Sequence, residues 1–124
     1  MAACEALGID SKLIPDIAIG LAGGIGLQGD ACGILTSSAM VLSLAVAGKE
    51  KDYAKKRKLT AECVGRMYRE FEKEFGHADC RSLCGLDLTT PEGRAKLMQG
   101  VKAEKCAKCV KGGAVLLAKE LQNI

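Results

Sequence analysis

The spacing of apolar residues along the chain predicts helices throughout. From Leu59 onward, Leu59, Cys63, Val64, Met67, Tyr68, Phe71 and Phe75 recur every three or four positions, while Arg66, Arg69, Glu70, Lys73 and Glu74 stand between them. This is the dry and wet face of one amphipathic helix, and Gly76 stands where a glycine ends such a helix. The last segment repeats the theme, with Cys106, Cys109, Val110, Gly113, Leu117 and Leu121 on one side and Lys105, Lys108, Lys111 and Lys119 on the other. The run from Ile34 to Ala47 is interrupted only by hydroxyl residues such as Ser37, Ser38 and Ser43. It is shorter than the roughly 20 residues that cross a bilayer and reads as a buried helix.

Two shorter elements follow from capping signals. Thr89-Thr90-Pro91-Glu92 offers a capping hydroxyl, a first-turn proline and an acid at the positive helix end. Asp10-Ser11 is expected to cap a helix running to about Ala22, with Pro15 tolerated in its first turn. No alternating strand pattern is present. The expected fold is all-α: a single domain over 1–124, built as a small bundle of four to five helices with a glycine-rich loop before the buried helix.

Composition narrows the function. A chain of 124 residues supports one modest core. A net charge of +3 with two Tyr, two Phe and no Trp gives little grip on nucleic acid. The basic run from Lys49 to Lys58 reads as a solvated helix start or loop. The stretch Met1-Ala-Ala-Cys4-Glu5 lacks the basic and apolar regions of a secretory signal. The expectation is therefore a cytoplasmic protein with no membrane insertion, in a compartment where structural disulfides are uncommon.

Seven cysteines change the picture most. Four form close pairs, Cys80-x3-Cys84 and Cys106-x2-Cys109, and Cys32 follows the glycine-rich stretch. An odd number cannot pair fully within one chain, which moves weight from structural disulfides toward metal or redox chemistry. Cys80 and Cys84 share a face of a helical turn, as do Cys106 and Cys109. Two such pairs facing inward would gather soft thiolate ligands suited to zinc or an iron–sulfur cluster. Haem attachment is excluded because Val110, not histidine, follows Cys109. The single His77 excludes a two-histidine site and reads as a surface residue. Cys63 reads as core packing, and Cys4 is too near the chain end to assign.

Gly24-Ile25-Gly26-Leu27-Gln28-Gly29 matches G-x-G-x-x-G, yet no second strand follows to complete a dinucleotide fold. The same glycines are better used in letting the backbone wrap around whatever Cys32 binds, which makes Gly24, Gly26, Gly29 and Gly33 candidate cofactor-binding positions. A helix starting at Cys32 would favour its thiolate through free N–H groups and the helix dipole.

Five blocks, in order, resemble the redox-active protein family named for its C-GCAxxG-C-C cysteine pattern. They are Ala22-Gly23-Gly24-Ile25-Gly26, Gly29-Asp30-Ala31-Cys32-Gly33, Cys80-Arg81-Ser82-Leu83, Leu86 to Gly93, and Glu104-Lys105-Cys106. The resemblance runs from about Gly8 to the C-terminus. It implies redox activity and, through a related domain accompanying the split-Soret cytochromes, cysteines associated with an iron–sulfur cluster. Cys32, Cys80 and Cys106 match three of the four family cysteines. The chain departs from the pattern at Ile34 and Ser37, where the family has alanine and its second glycine, and Cys4 lies too close to Leu7-Gly8 to match the family's first cysteine. Either the chain lacks the fourth family cysteine, or Cys84 or Cys109 replaces it.

The leading expectation is an electron-transfer protein holding an iron–sulfur cluster, in two-iron form, on Cys32, Cys80, Cys106 and either Cys84 or Cys109. Two others stand beside it. One is a metal-free thiol–disulfide protein with Cys32 as nucleophile and Cys80 or Cys106 as resolving thiol. The other is a structural zinc module for protein interaction. An unidentified redox partner and a homodimer complete the expectations.

Overall fold

The computed structural model describes residues 2–124. Met1, the first residue of the stretch read above for a secretory signal, lies outside them. In chain order the elements are α1 (Ala2–Ala6), a 3-10 turn (Asp16–Leu21), α2 (Gly33–Lys49), α3 (Tyr53–Phe75), α4 (Cys80–Cys84), α5 (Pro91–Lys96), a π-helical segment (Leu97–Cys106) and α6 (Ala107–Gln122). The long helices α2, α3 and α6 pack pairwise into a three-helix bundle. Helices α4 and α5 pack against the π-helical segment, and hydrogen bonds tie the start of α4 to the start of α2. The fold is all-α, as the apolar spacing predicts. No helix among the described residues is long and apolar enough to cross a membrane.

Local chemistry sets the helix ends. Asp52 caps α3 by accepting from the Lys55 N–H at 2.9 Å, so the basic run supplies the first turns of that helix. Gly76 takes φ +80° after its last residue and donates to the Glu72 carbonyl. Thr90 caps α5 through the Gly93 N–H at 3.0 Å, with Pro91 in the first turn. The final helix is less regular than its apolar face suggests. Gln99 and Gly100 leave helical geometry, Gly100 at φ +131°, and bend the chain before Cys106.

One expected helix is corrected. Residues from Asp10 to Ala22 do not form a capped α-helix; they form turns and the short 3-10 segment. Ser11 Oγ accepts from the Leu13 N–H at 3.2 Å, which closes a turn only. β-branched Ile14, Ile17 and Ile19, together with Gly20, are weak helix formers, and the 3-10 turn buries no residue that would pull it into the bundle.

Leu35, Leu42 and Val46 of α2, Cys63, Met67 and Phe71 of α3, and Cys109 and Leu117 of α6 form the core, joined by Cys4 from α1. Phe71 and Phe75 stack at 4.7 Å between ring centroids. Gly113 lets α6 approach α2, because a Cβ there would overlap Ile34. Glu120 is only 6% exposed, and its carboxylate accepts from Arg66 Nη2 at 3.0 Å, tying α6 to α3. Ser38 is 1% exposed and its Oγ has no hydrogen-bond partner among the described residues. Ser38→Ala is therefore expected to stabilise the protein by about 1 kcal/mol, read from urea unfolding, because it removes an unpaired buried hydroxyl.

Candidate functional site

The site is assembled by a short antiparallel clip. Ala31 bridges Asp79, the Cys32 N–H donates to the Ala78 carbonyl at 2.9 Å, and the Cys80 N–H donates to the Asp30 carbonyl at 2.7 Å. Cys32 and Cys80, 48 positions apart in sequence, are thereby fixed side by side. The glycine-rich loop makes this approach feasible. Gly23 to Leu27 all take positive φ, including the two non-glycine residues Ile25 and Leu27, a conformation costly for a β-branched side chain. At Gly24, φ +72°, a Cβ would lie 2.5 Å from both the Asp30 N and O and 2.7 Å from Cys80 Cβ. The loop is closed by Asp30 N–H donating to the Gly24 carbonyl at 2.9 Å.

The Asp79 carboxylate caps α4 by accepting from the Ser82 N–H at 2.8 Å, and Gly85 ends the helix at φ +72°. One helical turn therefore carries Cys80 and Cys84 on the same side. Asp87 braces α4 from the following loop. Its Oδ1 accepts from Arg81 Nη2 at 3.0 Å, from the Thr89 N–H at 3.0 Å and from Thr89 Oγ1 at 2.6 Å. The π-helical segment packs on α4 and delivers Cys106, with Cys109 following in the first turn of α6.

Five cysteines, Cys32, Cys80, Cys84, Cys106 and Cys109, line one cavity of about 460 Å³. Leu83, Leu88, Leu97 and Val110 supply apolar walls, and Lys102 is the one charged residue in the lining. Of the four glycine candidates, Gly24 and Gly33 line the cavity, whereas Gly26 and Gly29 do not. Gly29 instead packs against Arg81. Cys63 is in the core, its thiol donating to the Thr60 carbonyl at 3.3 Å, and Cys4 is the buried residue of α1. Lys102 was not singled out by sequence reasoning, although its place four residues before Cys106 puts it on the same helical face. All seven cysteines are free thiols. A 3-10 turn, not a strand, precedes the glycine loop, so its G-x-G-x-x-G lacks the setting of a dinucleotide site.

Burial disfavours the thiolate form at Cys32, Cys80, Cys106 and Cys109. Burial pushes Cys80 up to about 12, with further contributions from its neighbours Cys84, Cys32 and Cys106. Cys32 is also raised, chiefly by burial. The Ile34 and Gly33 N–H groups pull it down, as expected at a helix start, but do not prevail. Cys106 is raised by burial and then by Cys84 and Cys32, against the opposing charge of Lys102. Burial, Cys32 and Cys106 raise Cys109. Cys84 thus contributes to the rise at Cys32, Cys80 and Cys106, while Cys32 and Cys106 each interact with all four of the other cavity thiols.

The carboxylates that brace the site respond oppositely. Hydrogen bonds from Ser82 hold Asp79 below its ordinary value of 3.8, and those from Thr89, helped by Arg81, hold Asp87 down. A depressed folded pKa contributes stability above the ordinary value, and that contribution is lost as pH falls through the folded one. The Ser82 and Thr89 amide signals should therefore titrate with midpoints below 3.8, followed by NMR, with loosening of α4 only in that acid range.

Among the described residues, no three His, Cys, Asp or Glu side chains converge on a point suited to a single metal ion. The cysteines stand around the cavity instead. No curated protein and no solved structure matches the chain. Over residues 1–120, however, the sequence matches the family described as "Putative redox-active protein (C_GCAxxG_C_C)". The chain belongs to the C_GCAxxG_C_C family of redox-active proteins.

Proposed function

We propose that the five-cysteine cavity holds an iron–sulfur cluster and that the protein transfers electrons to or from a partner protein. One observation carries this reading: thiols from four segments face a single cavity, while among the described residues no three meet at a point. A lone tetrahedral zinc needs its ligands drawn together around one ion. A cluster with several irons spreads its thiolates apart, and soft sulfur ligands suit it. Cys32, Cys80, Cys84 and Cys106 are the ligands in this reading, with Cys109 as a fifth thiol. Cys84 is preferred to Cys109 because it acts on all three of the others.

When bound, such a cluster supplies one-electron transfer at a potential set by its surroundings. The chain's own residues do the rest. The leucines and Val110 keep water from the thiols, the N–H groups at the start of α2 favour negative charge on Cys32, and Lys102 favours it on Cys106. Loading would release protons from the thiols that become ligands. Seven free cysteines fit a reducing, cytoplasmic setting.

A metal-free dithiol protein is the second reading, favoured by the interaction of Cys80 with Cys84 one turn away. Its chemistry would join the two sulfurs with loss of two protons and two electrons to a disulfide-class acceptor. The raised Cys32 and Cys80 pKa values count against it, since neither is an activated thiolate. A redox titration of anaerobically purified protein separates the two. The cluster reading predicts a one-electron transition with a paramagnetic signal in one oxidation state. A two-electron transition accompanied by a loss of two mass units would reject it.

A further inference from the structure

The segment from Leu13 to Leu27 holds large apolar side chains out in the water. Leu13, Ile17 and Ile19 are 65%, 64% and 67% exposed, and Ile25 and Leu27 are 45% and 37% exposed. Together they present roughly 500 Å² of apolar surface, a size at which a patch on a single chain often marks an interaction site. The core does not account for them, because the 3-10 turn contributes no buried residue. Ile25 and Leu27 also sit at φ +62° and +66°, so the backbone adopts an unfavourable conformation while leaving both side chains exposed.

Charge identifies the occupant. From Gly8 to Gly29 the only charged residues are Asp10, Lys12 and Asp16. An anionic bilayer surface attracts basic amphipathic segments, yet the basic run of this chain lies at the other end of α2 and the start of α3. A strongly charged protein partner finds no complementary field on this segment either. An apolar face with one lysine and two aspartates is self-complementary under a two-fold axis, since Lys12 of each copy can meet a carboxylate of the other. Two such patches would bury about 1,000 Å², the area of a weak, concentration-dependent interface.

We propose that a second copy of this chain docks on this face, forming a two-fold dimer through Leu13, Ile17, Ile19, Ile25 and Leu27. Leu27 also lines the cysteine cavity, as does the half-exposed Val110, so the interface reaches the cavity mouth and shields the thiols. The dimer does not depend on what the cavity holds.

Sedimentation equilibrium up to about 100 μM tests this, because a dimer is concentration-dependent. The wild-type chain should sediment at twice its 13.0 kDa mass. Ile17→Asp combined with Ile19→Asp should sediment at the single-chain mass with unchanged helical circular dichroism, and its cavity thiols should be alkylated faster. Leu13→Asp, at a separate exposed position, should weaken the dimer in the same direction. A monomeric wild-type protein at the highest concentration, or a dimer that survives these variants, overturns the proposal. A monomer that floats with mixed phosphatidylcholine–phosphatidylglycerol vesicles also overturns it and assigns the face to a membrane.

Discussion

Gly24→Ala is expected to destabilise the protein by about 3 kcal/mol, combining the cost of a left-handed residue with overpacking. The new Cβ would press on both the Asp30 backbone and Cys80 Cβ, and neither can yield cheaply. Asp30 accepts from the Cys80 N–H, and its own N–H closes the loop on Gly24. Relief would require opening the clip that holds Cys32 beside Cys80, so the variant should lose the cavity along with stability. Denaturant unfolding and the rate of thiol alkylation report the two effects. Gly26→Ala is the control. It also has a positive φ, +58°, but faces open space, and should cost only about 1–2 kcal/mol with the cavity thiols still protected. Equal losses in both variants would mean that conformational strain alone explains Gly24.

Cys84→Ser is expected to retain less than about a tenth of the wild-type iron, since hydroxyl is a poor ligand where soft thiolate is required. Cys84 is fully buried at the end of α4 and acts on Cys32, Cys80 and Cys106. Cys109→Ser should keep most of the iron, because Cys109 is linked only to Cys32 and Cys106. Cys63→Ser should keep all of it, the side chain lying in the core away from the cavity lining. Metal analysis of the three purified variants, each checked for helical content, decides the order. Loss of iron in Cys109→Ser with retention in Cys84→Ser would reverse the fourth-ligand assignment.

Helices α2, α3 and α5 are legible in the sequence because each carries a physical signature of its own. The face through Met67 and Phe71, the uncharged stretch from Ile34 and the Thr90-Pro91 cap all record burial or backbone chemistry within one element. The segment from Asp10 to Ala22 misleads for the opposite reason. Its cap and apolar residues imitate a helix, while Ile17 and Ile19 are exposed and Ile14 is only partly buried against the core.

The candidate site was only partly legible. Pairing within Cys80-x3-Cys84 and Cys106-x2-Cys109 follows from helical spacing, but the meeting of Cys32 with Cys80 depends on the bridge between Ala31 and Asp79, which no local pattern encodes. The family block from Leu86 to Gly93 has a structural explanation that sequence alone did not supply. Asp87 braces Arg81 and thereby α4, and Gly93 leaves room for the Asp87 carbonyl. Gly24 and Gly29 likewise serve close backbone approach to Cys80 and Arg81.

The central claim is that the cavity thiols hold a polynuclear iron–sulfur cluster. Its most direct test is the amount of iron and acid-labile sulfide per chain in protein purified without oxygen. The account predicts iron and sulfide in equal amounts, at least about two of each per chain, with thiolate-to-iron absorption in the visible. A folded, colourless protein carrying neither, or one carrying a single zinc per chain, would contradict it.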